Sequence, residues 1–209
     1  MNQTESEMDE IETSSTRTSL LIIFYAIMCR NKIKPMKALD IGCGKHPYNI
    51  FNASELHGID LHDPEKDPQF FIRNWQNIKL EQKLESYKRC DLAIENIPHT
   101  DFCFDVVTAI DVIEHIPRVI YCPQQRFAFV ELMNEIWRVL KPGGLFFACT
   151  PFYPHPEAFS DPTHVNYVTA NTFQEYFSEP GQYGFKGKFE VRRVDEAGCK
   201  LHTQLIKQV

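Results

Sequence analysis

Beyond residue 36 the chain alternates between short apolar runs of strand length and longer stretches whose apolar positions recur at helical spacing. Alternation of this kind marks a parallel sheet with helices on its faces, because each strand needs a crossover that returns the chain to the same end of the sheet. KALDIG is read as the first strand, ELHGIDL as the second and FDVVTAI as the fourth, with a short third strand expected near Tyr87 to Leu92. FDVVTAI, residues 104–110, is uninterrupted and rich in β-branched side chains, as befits a central strand covered on both sides. A helix is expected near Tyr48 to Asn52. A longer one is expected from Gln124 to Leu140, where Phe129, Met133, Ile136 and Leu140 share a face and Lys141-Pro142-Gly143-Gly144 stops it. GLFFACTPF then forms strand five and ANTFQEYF a helix, and FKGKFEVRRVDEAG with CKLHTQLIKQV closes the chain as an antiparallel hairpin. Residues 62–88 are less regular: HDPEKDP reads as a loop, and NIKLEQKLESYK is helix-prone but weakly periodic.

Composition narrows the possibilities. With 209 residues, 43% of them hydrophobic, a single domain over residues 19–209 can bury a substantial core. The polar, acidic residues 1–18 lack the basic start and apolar centre of a signal peptide and are expected to be disordered or loosely ordered. The apolar stretch from Leu20 to Cys29 is far short of the roughly 20 residues that span a bilayer, so it reads as a core or lid helix and no membrane contact is expected. A net charge of −6 gives no electrostatic reason to expect a nucleic-acid partner. Seven cysteines, an odd number without a C-x-x-C pair, read as reduced thiols of a cytoplasmic protein.

The chemistry is concentrated at the strand ends. Asp40, Asp60, Asp91 and Asp111 follow or close the first four strands, and Gly42 and Gly44 flank Cys43 just after strand one. Ligands of open α/β sheets bind outside the carboxyl ends of the strands where strand order reverses, so four acids are expected at one rim. Each alone could merely cap a helix or a turn. Glycines let the backbone turn sharply and approach a ligand, and an acid some twenty residues later suits ribose hydroxyls. A dinucleotide fingerprint would require a third glycine where Pro47 stands. Carboxylates repel a pyrophosphate but accept ribose hydroxyls, an adenine amine or an ammonium group, which describes S-adenosylmethionine.

On ALDIGCG at 38–44, HGID at 57–60, CDL at 90–92, FDVVTAIDVIEHI at 104–116 and EIWRVLKPGGLFFACTP at 135–151, the chain resembles the class I S-adenosylmethionine-dependent methyltransferases in their small single-domain branch. The resemblance covers about residues 36–152. It implies a doubly wound, Rossmann-like, seven-stranded and mostly parallel sheet, with one antiparallel strand from the last hairpin and helices on both faces. It also implies that Asp40, Gly42, Cys43 and Gly44 line the methionine end of the cofactor and that Asp60 and Leu61 hold the ribose. Asp91 and Leu92 would border the adenine, and Asp111 would start the loop beside the transferred methyl. Lys45-His46-Pro47 departs from the small residues usual after the second glycine.

A sulfonium is already an activated donor, so an enzyme of this kind chiefly aligns donor and acceptor and excludes water. A hydroxyl acceptor also calls for a general base. Candidates are His115 in DVIEHIPR and His155, Asp161 and His164 in TPFYPHPEAFSDPTHVNY, each of which could instead serve a local turn. His155, Asp161 and His164 are legitimate metal ligands, but their spacing matches no compact metal motif and no metal is expected. Of the aromatics Phe152, Tyr153, Phe159, Tyr167, Phe173, Tyr176 and Phe177, most are expected in the core, with Tyr153 and Tyr167 as acceptor-pocket candidates. The expected function is O-methylation of a small polar molecule or sugar. Two other readings are an N-methyltransferase acting on an amine or protein side chain and a catalytically silent methyltransferase-like binding subunit. The N-P-P-Y-like tetrapeptide of base-methylating families is absent, with Asp111-Val112-Ile113-Glu114 in its place.

Overall fold

The computed structural model describes residues 35–44, 47–62 and 84–209. The expectations for residues 1–18, for the stretch from Leu20 to Cys29 and for most of residues 62–83 lie outside the described residues.

The apolar runs become strands β1 (Lys37–Ile41), β2 (Glu55–Asp60), β3 (Leu84–Arg89), β4 (Phe104–Ile110) and β5 (Leu140–Pro151), followed by β6 (Phe189–Ala197) and β7 (Lys200–Lys207). They form one seven-stranded sheet in the order β3-β2-β1-β4-β5-β7-β6. β1 pairs in parallel with both β2 and β4, so the strand order reverses beside it and opens the ligand crevice there. β7 pairs antiparallel with β5 and with β6, and is the single antiparallel strand. Alternation along the strands separates two apolar clusters. Leu39, Val107 and Phe146 join the larger, and Ala38, Leu56, Val106 and Leu145 form a smaller one.

Helices α1 (Ala128–Val139), α2 (Glu157–Ser160) and α3 (Thr172–Phe177) supply buried side chains on the way back to the sheet. The face expected from the spacing is the one that packs: Phe129, Met133 and Ile136 of α1 are buried in the larger cluster with Phe173 and Phe177 of α3.

Four local expectations need correction. Tyr48 to Asn52 forms a turn rather than a helix, because Asn49 Oδ1 accepts the Ala53 amide at 2.7 Å and its Nδ2 donates to the Ala53 carbonyl at 2.9 Å. Such side-chain bonds offer the backbone an alternative to helix. β3 ends at Arg89, so it starts and stops three residues earlier than expected. α1 begins at Ala128, not Gln124, because Ile120 and Arg126 exchange backbone bonds of 2.9 and 2.8 Å that close the preceding segment into its own loop. Lys141 to Gly144 bulges within β5: pairing with β4 passes from Phe104↔Leu140 to Val106↔Leu145, with Gly143 at φ +74°.

The end of α1 is tied to the last strand by Lys207. This buried side chain donates to the carbonyls of Trp137 at 2.6 Å and Leu140 at 2.7 Å, and its ammonium lies 3.9 Å from the Trp137 ring centroid. It thereby satisfies helix-terminal carbonyls that would otherwise be buried without donors. Lys207→Met keeps the apolar stem and strips both donors, so chemical denaturation is expected to show a loss of about 2 kcal/mol with an unchanged m-value.

Candidate functional site

Asp40, in the last turn of pleat before the glycine loop, is 1% exposed. Its Oδ1 accepts Thr108 Oγ1 from β4 at 2.6 Å and its Oδ2 accepts the Tyr48 amide at 2.8 Å. Burial, opposed by these two bonds and reinforced by nearby Asp60, pushes its pKa up to about 7. Asp60 closes β2 and holds the same loop from the other side, accepting the Gly44 amide at 2.8 Å and the His62 amide at 3.0 Å.

Two glycines are required by this geometry. Gly42 has φ +65°, and a Cβ there would lie 2.2 Å from Val112 Cγ2, so the loop after β1 packs against the loop after β4 with no room for a side chain. Gly58 of β2 leaves space for Cys43, whose Sγ would be 2.7 Å from an added Cβ. The Cys43 thiol is thus buried, and burial pushes its pKa up.

Between these loops lies a cavity of about 300 Å³. Gly42, Asp60, Leu61, Asp91, Leu92 and Asp111 line it, as do His62, Cys90, Val112, His115 and Ile116. Asp40, Cys43 and Gly44 do not line it; they hold the loop that does. Asp91 caps its own turn, its Oδ1 accepting the Ala93 amide at 3.0 Å. Asp111 sits at φ +54°, a conformation uncommon for a residue with a side chain, and pairs with Lys200 at the start of β7. Among the described residues the lining has three carboxylates and neither Lys nor Arg, so it suits ribose hydroxyls and an ammonium or sulfonium rather than phosphates.

The loop after β4 lines the cavity, and the loop after β5 is stitched to it. The amides of Val165 and Asn166 donate to the Glu114 carbonyl at 2.8 and 3.0 Å, and the buried Asn166 side chain donates to the Ile113 carbonyl at 3.1 Å. Arg118 closes the join, donating from Nε to Asn166 Oδ1 at 2.8 Å and from its terminal nitrogen to the Tyr167 carbonyl.

This stitching brings three of the four candidate catalytic residues together. Thr163 Oγ1 donates its only proton to Asp161 Oδ1 at 2.6 Å, so at 3.0 Å it can only accept from His115 Nδ1. The hydroxyl and amide of Thr163 hold Asp161 below the usual carboxylate range. His164 Nδ1 lies 3.1 Å from the Ala158 carbonyl and must donate to it. In its neutral form each imidazole therefore carries its proton on Nδ1 and presents the lone pair on Nε2. The rings meet edge to face at 4.9 Å. His155 stands apart, 2.9 Å from Glu157 Oε2 without hydrogen-bond alignment.

Sequence reasoning missed Glu114. Its side chain is buried, Oε2 accepts Thr150 Oγ1 at 2.8 Å, and Oε1 is buried with no hydrogen-bond partner among the described residues. Burial pushes its pKa up. One nitrogen or oxygen each from Glu114, His115 and His164 lie within 4.8 Å of one another. An acid inside the apolar run DVIEHI was the available signal. Lys200 and Thr163 were missed as well, since nothing near them in sequence points to Asp111 or His115.

A second, larger cavity of about 620 Å³ is lined in part by Arg118. Tyr153, Phe159, Tyr167 and Tyr176 are exposed along its wall, which the buried Phe177 also lines, whereas Phe152 and Phe173 are buried in the core. Phe159 stacks on Tyr167 at 4.6 Å.

The sequence matches the family model of a methyltransferase domain over residues 20–186. No curated protein sequence matches it. The YcgJ protein of Bacillus subtilis has a similar structure at 16% identity and a TM-score of 0.60, over 92% of this chain and 98% of that one. A chain of the complex between the Haloferax volcanii Trm112 methyltransferase activator and a methyltransferase is similar at 13% identity and a TM-score of 0.58, covering 96% and 97%. The phosphoethanolamine N-methyltransferase 1 of Haemonchus contortus, solved with phosphoethanolamine and S-adenosylhomocysteine, is similar at 12% identity and a TM-score of 0.56, over 88% of this chain and 41% of that one. At these identities the likeness is one of fold.

The pH dependence of Asp40 is testable. Its folded pKa of about 7 lies above the unfolded value of about 3.9, so the folded state binds more protons between the two and loses stability as pH rises through that window. Relative to the wild type, Asp40→Asn is expected to gain on the order of 3 kcal/mol between pH 4 and pH 7, read from denaturant midpoints.

Proposed function

Since the chain belongs to the methyltransferase-domain family and is a class I S-adenosylmethionine-dependent methyltransferase, we propose that it methylates a hydroxyl of a small polar molecule or sugar. The observation that carries this reading is the relay Asp161–Thr163–His115, which fixes the His115 proton on Nδ1 and leaves Nε2 as a proton acceptor on a residue that lines the 300 Å³ cavity.

When bound, S-adenosylmethionine supplies a methyl group activated on a sulfonium. The chain's own residues do the rest. Asp60 meets the ribose with the lone pairs that its two amide bonds leave free, Asp91 and Leu92 border the base, and Gly42 allows close approach of the backbone. Among the described residues, the Nε2 atoms of His115 and His164 and the free Glu114 oxygen face no hydrogen-bond donor. Such a cluster calls for a group that brings its own proton, as a hydroxyl does. A thiolate or carboxylate would bring none. The aromatic wall at Tyr153 and Tyr167 offers flat apolar faces beside polar tips, as an acceptor with a carbon skeleton and hydroxyl rim requires. Six described cysteines are all unpaired, which favours a reducing, cytoplasmic setting. Among the described residues no helix is long and apolar enough to cross a membrane.

Calorimetry with S-adenosylhomocysteine should give a saturable isotherm that Asp60→Ala weakens about tenfold or more, the loss of charge-assisted ribose bonds being worth about 1.5–3 kcal/mol. His115→Ala should leave that affinity within about threefold and lower methyl transfer to a hydroxyl acceptor about 10²-fold or more. Transfer that persists unchanged in His115→Ala would remove the general base from the account.

A further inference from the structure

We propose that Glu114, His115 and His164 form a divalent-cation site at the mouth of the cofactor cavity. Two imidazoles and one carboxylate are a donor set that suits borderline divalent ions, and three protein ligands leave positions open for water or an acceptor oxygen. The trio differs from His155, Asp161 and His164, the metal-capable residues grouped by sequence, since His155 lies outside the cluster.

Three independent features prepare the site. Each histidine donates Nδ1 to an oxygen behind it, Thr163 Oγ1 for His115 and the Ala158 carbonyl for His164. Outer partners of this kind set the tautomer and aim the other nitrogen at an ion. Asp161 behind Thr163 extends the support on the His115 side by a second bond. The third feature is Glu114 Oε1, a buried carboxylate oxygen with no hydrogen-bond partner among the described residues. Leaving such an atom unsatisfied is costly, and a cation would satisfy it.

The donor atoms lie within 4.8 Å of one another, and bonds of about 2.0–2.2 Å to a common ion need donor separations of about 3–3.5 Å. The exposed His115 and the half-buried His164 can close that gap by pivoting about their Nδ1 bonds, with the buried Glu114 as the fixed corner.

The inference rests on the reading of this cluster as the place where an acceptor hydroxyl loses its proton, and it changes how that happens. With an ion bound, His115 serves as a ligand. The hydroxyl coordinates the ion as an oxygen donor, its O–H bond breaks with the proton passing to water, and the oxygen keeps the electron pair on the metal. A vicinal diol or hydroxy-carbonyl acceptor could fill two open positions at once.

Manganese(II) is the probe, because it favours nitrogen and oxygen over the free cysteines and its free-ion electron paramagnetic resonance signal disappears on binding. Titration of the full chain with Mn²⁺ should show one site per chain. His164→Ala and Glu114→Gln should each weaken it tenfold or more, with S-adenosylhomocysteine affinity and melting temperature of His164→Ala near those of the wild type. Equal binding by wild type and His164→Ala, or no binding, would overturn the cation site. Hydroxyl methylation that survives a chelator but still depends on His115 would also overturn it and leave the proposed function standing. Stoichiometric Mn²⁺ binding without methyl transfer to any hydroxyl would retain the site and sink the proposed function instead.

Discussion

A carboxylate buried at the end of a central strand needs partners, and the partners of Asp40 hold the site in shape. Its two oxygens reach in different directions, to Thr108 on the neighbouring strand and to the backbone of Tyr48 beyond the glycine loop. Asp60 repeats the device one strand away through the amide of Gly44. The loop between them is thus held from both sides, and the contact of Gly42 with Val112 presses it against the segment that follows β4. Parallel pairing of β1 with β2 and β4 makes this possible, since it delivers all three strand ends to one rim.

The acceptor side depends on different forces. Val112, Ile113 and Ile116 after β4 share the buried core with Phe152 and Val168 after β5, and backbone and amide bonds around Glu114, Asn166 and Arg118 fix how the two loops meet. The S-D-P-T-H-V-N-Y segment therefore divides its work along its length. Asp161 and Thr163 orient His115, His164 faces His115, Asn166 locks the two loops, and Tyr167 passes its ring to the aromatic cavity. A mouth built from acceptors, with a buried acid at its base, is poised to receive positive charge in the form of a proton or an ion.

Much of this was legible in the amino-acid order, for reasons that are physical. FDVVTAI and GLFFACTPF announce buried strands because a strand covered on both faces has no polar alternation. The acids at their ends stand out against that background. The turn at Tyr48 to Asn52 was misread as helix because the local bonds from the Asn49 side chain to the Ala53 backbone compete with helix there. The start of α1 was placed too early for a similar reason, the Ile120 and Arg126 pairing being a backbone event with no side-chain signature. At the site, acids at strand ends and histidines in the loops stood out by their own chemistry, as Asp111 and His115 did, although their partners are distant. Residues whose role comes only from a fold contact did not: Lys200 meets Asp111 across 89 positions, and Glu114 meets Thr150 across 36. His155 was a catalytic candidate by its place in the segment after β5; its Nδ1 lies 2.9 Å from Glu157 Oε2, apart from the His115–His164 pair.

The central claim is that the rim of β1, β2 and β4 is a cofactor site made by two loop-holding carboxylates. Hydrogen exchange of the full chain with and without S-adenosylhomocysteine tests it most directly, because the amides of the glycine loop, of the turn after Asp60 and of residues 90–93 and 111–116 would be covered together. The account predicts slowed exchange in all four segments with little change along β6 and β7. Protection confined to the aromatic cavity, or none at saturating ligand, would contradict it.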